Sequence, residues 1–84
     1  MPFRVELRRK VVKQLQRIPE DYRTHILFAL SQLASSPESL DIEKLRGFKG
    51  QFRLRVGRYR ILFTIFPDNR IVVFRILPRE RAYE

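Results

Sequence analysis

From Gln51 to Ile76, apolar and polar residues alternate so regularly that one register satisfies three strand-like runs at once. The runs are QFRLRV, RYRILFTIF and RIVVFRI, and period-two alternation of this kind marks sheet with one buried face. Gly57-Arg58 suits a two-residue turn, with glycine at the first central position as type II′ requires. Asp68-Asn69 suits a second, both residues tolerating positive φ. With the first turn in place, Val56 faces Tyr59, Arg55 faces Arg60, Leu54 faces Ile61 and Arg53 faces Leu62. One face then carries Phe52, Leu54, Val56, Tyr59, Ile61, Phe63 and Ile65. The second turn adds Val72, Phe74 and Ile76 to it. Parity that agrees across three strands constrains the fold more than any single run, because a slip by one residue inverts every side chain.

The segment ahead of the sheet supplies something to cover that face. PFRVEL alternates as a short strand. Val11, Val12, Leu15 and Ile18 then fall on one helical face, with Arg9, Lys13 and Arg17 on the opposite stripe. Pro19 ends this helix. A second helix carries Tyr22, Ile26, Leu30 and Leu33 in register, with Ala29 and Ala34 beside them, and stops at ASSPES. The tight join predicts an αα-hairpin. DIEKLRGFKG, from Asp41 to Gly50, reads as a basic connector broken by two glycines. The expectation is a single α+β domain over residues 1–84: an N-terminal strand, an αα-hairpin and a three-stranded antiparallel meander. The helices pack on one face of the sheet and a basic face lies opposite.

Charge is concentrated in that sheet. The chain has 18 Lys and Arg against 9 Asp and Glu, a net +9, and 14 of the 18 are arginine. Seven basic residues and no acid lie between Lys44 and Arg60. Hairpin parity sends Arg53, Arg55, Arg60 and Arg75 to the open face, where Arg55 and Arg60 sit directly opposite each other. Such a like-charge pair costs about 0.2–1 kcal/mol, and an anion supplied from outside relieves it. Arginine forks suit phosphate, so the face reads as a phosphate-binding surface. The plainer alternatives are edge charges that discourage aggregation and a basic domain from a hot environment. Lys44, Arg46 and Arg58 extend the basic region, and the Arg9, Lys13, Arg17 stripe is a second surface suited to nucleic-acid phosphates.

Other chemistries find little support. There is no cysteine, hence no disulfide or thiolate metal site. No metal constellation and no Gly-rich phosphate loop are visible. No cofactor is expected. His25, the lone histidine, sits in a helix and reads as a surface or packing residue. No run approaches a membrane span and no signal peptide opens the chain, so a cytoplasmic protein without membrane contact is expected.

KLRG at 44–47, FRLRVGRYRILF at 52–63 and RERAY at 79–83 resemble the RelE/ParE superfamily of toxin–antitoxin toxins. KQLQRIP at 13–19 and the order of elements fit the same family. The resemblance implies a ribosome-dependent endoribonuclease that cuts messenger RNA in the decoding site. It also implies a cognate antitoxin, expected from the charge to be acidic and to fold on binding over an exposed apolar remnant of the sheet (Leu62, Thr64, Phe66, Val73). The functional residues it implies are Arg53, Arg55, Arg60 and Arg79, with Tyr83 as base or base-stacking aromatic. Arginine at 53 and 55, where some relatives carry lysine, keeps phosphate clamping but not proton exchange. A ParE-like toxin that binds DNA gyrase and a non-catalytic RNA-binding module are the alternative readings.

Overall fold

The computed structural model describes residues 3–47 and 49–81. Strand β1 (Arg4–Leu7) leads into helix α1 (Arg9–Arg17) and helix α2 (Glu20–Ser35). A 3₁₀ turn at Pro37–Ser39 connects to β2 (Ile42–Lys44), followed by β3 (Gln51–Val56), β4 (Tyr59–Ile65) and β5 (Arg70–Pro78), and a 3₁₀ turn at Arg79–Arg81. The five strands form one sheet in the order β1-β5-β4-β3-β2. All neighbours are antiparallel except β1, which joins β5 in parallel.

Each helix follows from its pattern. In α1, Val11 and Leu15 are buried, and Ile18 just beyond its end is buried too. Val12 drops out of that stripe and is exposed. Pro19 is the N-cap of α2, and Glu20 and Asp21 in its first turn complement the positive end of the helix dipole. α2 turns Ile26, Ala29, Leu30 and Leu33 inward; Tyr22, also expected on the inner face, is exposed. α1 lies across β5, and α2 across β1 and β3. Together they cover Leu54, Ile61, Phe63, Ile71, Val73 and Ile76.

The β3–β4 pairing is the expected one throughout, from Val56↔Tyr59 to Phe52↔Phe63. Gly57 sits at φ +56°. The meander is longer than expected, however. Residues read as a connector form β2, which pairs Glu43 with Arg53 and Lys44 with Phe52. Gly47 and Gly50, at φ +76° and +74°, reverse the chain between β2 and β3. Three residues are too short to leave a periodic signal.

The β4–β5 connection differs in an instructive way. It has three loop residues, Pro67, Asp68 and Asn69: the Phe66 amide donates to the Arg70 carbonyl at 2.8 Å, and the Asn69 amide to the Phe66 carbonyl at 3.1 Å. Asn69 occupies the left-handed region at φ 62°, the third-position residue such loops require. The extra residue shifts β5 by one, so Ile71 and Val73 enter the core under the helices in place of Val72 and Phe74, and Val72 is buried on the opposite face. A β-bulge at Phe74 then restores the expected pairing of Leu62 with Arg75 and Ile61 with Ile76. The Gln14 side chain of α1 accepts a hydrogen bond from the Ile76 amide at 3.0 Å, just past the bulge.

Phe63 is fully buried and stacks on Phe52, with ring centroids 5.7 Å apart. Phe63→Ala should cost about 3–5 kcal/mol, a large share of the roughly 5–15 kcal/mol expected for a whole domain. Phe28→Ala, at a 63% exposed position, should change stability by no more than about 0.5 kcal/mol. Denaturant midpoints of the two variants measure the contrast, and equal losses would contradict this core.

Candidate nucleic-acid interface

The side of the sheet away from the helices is built in cross-strand rows. One row runs Arg55–Arg60–Leu77, the next Glu43–Arg53–Leu62–Arg75, and the next Gln51–Thr64–Val72–Glu6. The face is therefore cationic at the hairpin end and becomes apolar toward the β4–β5 loop, where Phe66 and Phe74 lie.

Arg55 and Arg60 are directly paired, as expected, yet Arg55 and its neighbour Arg53 find carboxylates within the chain, and Arg60 finds backbone carbonyls. Asp41 and Glu43 precede Lys44, so the stretch from 44 to 60 lacks acids, but β2 returns both carboxylates to the arginines. Arg53 Nη2 donates to Glu43 Oε2 at 2.9 Å, and Arg55 Nε lies 3.5 Å from Asp41 Oδ2. Asp41 also accepts the Arg55 amide through its backbone carbonyl at 3.0 Å. The expectation that an anion supplied from outside relieves the repulsion is thus corrected. Pairing between segments supplies what the linear run withholds.

Arg60 departs furthest from its expected place as an open phosphate clamp. Its side chain is 3% exposed. Nη1 donates to the carbonyls of Gly57 and Tyr59, each at 2.8 Å. Nε is buried without a hydrogen-bond partner among the described residues. In this conformation Arg60 holds the β3–β4 turn from behind. A buried guanidinium needs such acceptors, because desolvation otherwise costs several kcal/mol.

The remaining candidates are spread over several surfaces. Arg75 and Arg79 are exposed, and the Arg79 amide donates to the Arg58 carbonyl at 2.6 Å, tying the chain after β5 to the hairpin tip. Arg58 stacks over the Tyr22 ring at 5.6 Å and lies 3.6 Å from Glu80. The Tyr22 hydrogen bond, then the Tyr22 charge and Glu80, hold its pKa above the ordinary arginine value. Arg9, Lys13 and Arg17 lie exposed along α1, and Lys44 and Arg46 are exposed at the β2 edge. Tyr83 lies outside the described residues. His25 is exposed and lines a hollow beside Tyr22, Phe28 and Tyr59. No metal-holding group of His, Cys, Asp or Glu occurs among the described residues.

Sequence reasoning missed Asp41 and Glu43, and also Gln51, Phe74 and Arg8, which with Thr64 line a hollow on the apolar half of the face. The alternation at Ile42–Lys44 was the available signal for the first two. Phe74 had been assigned to the core, and only the loop length and bulge show otherwise.

Two outcomes follow from the geometry. Arg60→Ala should lower stability by about 1–3 kcal/mol, the cost of losing charge-assisted hydrogen bonds. Exposed Arg79→Ala should stay within about 0.5 kcal/mol of wild type. Equal denaturation midpoints for the two would contradict a turn-holding Arg60. The second concerns Glu43, whose pKa is lowered first by the Arg53 hydrogen bond and then by the Arg53 charge. A carboxyl with a depressed folded pKa stabilises the fold above its unfolded pKa and loses that contribution as pH falls through the folded value. The stability difference between wild type and Glu43→Gln should therefore be full at neutral pH and fade below the ordinary glutamate range. A pH-independent difference would rule the linkage out.

Comparison with known proteins places this geometry. A family model described as the ParE toxin of type II toxin–antitoxin systems, parDE, matches residues 5–83. The toxin RelE3 of Methanocaldococcus jannaschii is 32% identical over 77 residues, covering 87% of this chain and 86% of that protein. RelE1 of the same organism is 32% identical over 100% of this chain and 98% of that protein. In the crystal structure of the archaeal RelE–RelB complex from Pyrococcus horikoshii OT3, a chain of 32% identity matches with a TM-score of 0.82, over 98% of this chain and 100% of that one. A family match across nearly the whole length, joined to full-length relatives of RelE type, means that this chain belongs to the RelE/ParE superfamily of type II toxin–antitoxin toxins.

Proposed function

We propose that this RelE-type toxin is a ribosome-dependent endoribonuclease that cleaves messenger RNA in the ribosomal A site and so inhibits translation. The observation that carries the reading is the row structure of the open face, with Arg53 and Arg55 on β3 and Arg75 on β5, flanking β4, and with Arg79 exposed just past β5. Cleavage proceeds by attack of the RNA 2′-hydroxyl on the adjacent phosphate, with departure of the 5′-oxygen. The cations stabilise the charge that develops on phosphorus-bound oxygens. Arg79 and Arg60 belong at the scissile phosphate, with Arg60 acting through the turn it holds unless its side chain rotates outward. Arg53 and Arg55 belong at the neighbouring backbone, exchanging carboxylates for phosphates. Tyr83 serves as base or stacks on a nucleobase. Since guanidinium stays protonated, much of the rate comes from the ribosome holding the message in line for attack. The α1 stripe of Arg9, Lys13 and Arg17, with Lys44, Arg46 and Arg58, docks on ribosomal RNA. No metal or cofactor takes part, and the site of action is the cytoplasm.

The partner in this reading is an acidic antitoxin that folds as it binds. The solved RelE–RelB complexes support an antitoxin partner. The apolar remnant it covers is half-buried Leu62, Thr64, Phe66 and Phe74 around buried Val72, since Val73 belongs to the core. The ParE description of the matching family model favours one second reading, a gyrase-binding toxin.

Purified protein added to ribosomes carrying a defined message, with breaks mapped by primer extension, tests the proposal. Cuts are expected in the A-site codon and absent from naked RNA. Arg79→Ala should slow them by about 10²–10³-fold. Absence of cutting by folded protein, with inhibition of gyrase supercoiling, would replace this reading with the second.

A further inference from the structure

Next to the arginine rows the open face holds a hollow of about 280 Å³ lined by Arg8, Gln51, Thr64, Phe66, Val72 and Phe74. That is just below the roughly 300–1,000 Å³ of pockets that enclose drug-sized ligands, and it suits one small flat group. We infer that this pocket is a nucleobase subsite for single-stranded RNA, an inference that rests on the RNA-cleaving reading.

Three observations carry it. First, the pocket combines aromatic surface with polar groups that have nothing else to do. Gln51 and Thr64 are cross-strand partners, both half-buried, and neither side chain makes a hydrogen bond among the described residues. An amide offers two donors and an acceptor, and a hydroxyl offers one donor and two acceptors. Stacking on an aromatic ring with hydrogen bonds to the base edge is how unpaired bases are recognised. A pocket built only for an aliphatic side chain has no use for these groups.

Second, its place in the fold joins it to the cationic half. Gln51 is two residues from Arg53 along β3, about 7 Å. Phe74 and Arg75 together oppose Leu62 at the bulge. The three-residue loop turns Phe74 outward and the bulge keeps Arg75 on the same face, where uninterrupted pairing would have turned Arg75 toward the core, so an aromatic lies beside an exposed cation. Third, the charges near the pocket favour an anionic strand. Arg8 is exposed and without an ion pair among the described residues, and it opens onto α1, which contains no acid. Glu6, the cross-strand partner of Val72, is engaged by Arg70 at 3.4 Å and Arg4 at 3.6 Å. Arg70 in turn lies 4.5 Å over the Phe66 ring, leaving Phe74 as the ring to receive the base.

The test compares two uncleavable 2′-O-methyl strands of one length, one carrying bases and one fully abasic, titrated against full-length wild type, Phe74→Ala and Phe74→Tyr. Each variant's folding is checked by thermal unfolding. Wild type should prefer the base-bearing strand about tenfold, Phe74→Ala should lose that preference with its affinity for the abasic strand unchanged, and Phe74→Tyr should keep it. Gln51→Ala should weaken the preference without affecting the abasic strand. Equal binding of the two strands by wild type, or a preference intact in Phe74→Ala, overturns the subsite while leaving RNA binding in place. Binding of neither strand overturns the subsite, whereas the RNA-cleaving reading stands or falls by the ribosome assay. Loss of antitoxin affinity in Phe74→Ala with RNA preference unaffected also overturns the assignment, in favour of a protein-docking pocket.

Discussion

The pairing of β3 with β4 is the constraint on which the rest of the molecule depends. Gly57, at positive φ, closes a turn that only one register fits, and that register decides which side chains meet the helices and which meet solvent. Arg60 secures the same turn from below by donating to the Gly57 and Tyr59 carbonyls. Leu54, Ile61 and Phe63 then reach the core beneath α2 and α1, and the arginines of the same two strands face the other way. Burial and charge display are two consequences of one hydrogen-bonding register.

The charge display is more restrained than a net +9 suggests. Asp41 and Glu43 sit at the sheet edge against Arg55 and Arg53, at 3.5 and 2.9 Å. Such pairs are weak where solvent reaches them, as at Asp41 and Arg55, whereas the Arg53 side chain is 12% exposed and its pair with Glu43 is better shielded. Both pairs hold the guanidinium groups in place. The open face divides into a cationic end and an aromatic end, and a strand of nucleic acid offers the matching pair of features, phosphates and bases. In the proposed reading, an antitoxin laid over the same surface would exclude RNA by occupation alone.

Much of this was readable from local pattern. The β3–β4 register, both helices, the break at Pro19 and the open-face placement of Arg53, Arg55 and Arg75 all follow from periodicity and turn chemistry. The β4–β5 connection shows the limit. Pro67-Asp68-Asn69 fits a three-residue loop as well as Asp68-Asn69 fits a two-residue one, and the choice moved Val72 and Phe74 out of the core. The bulge then cancelled the shift, so Arg75 and Ile76 fell where expected although the residues between them and the loop did not. β2 escaped notice because a three-residue strand carries too little alternation to stand out from a basic connector.

By itself the sequence determined the α+β class, the register of the central hairpin, the apolar faces of the helices and the family resemblance. These rest on interactions between near neighbours in the chain, where residue type and spacing suffice. The tertiary structure alone decided that β1 lies parallel to β5, that two carboxylates return to the arginines, that Phe74 lies outside the core and that Arg60 turns inward. Each of these depends on which distant segment supplies the partner. A guanidinium goes where its acceptors are, and the positions of those acceptors exist only once the sheet has closed.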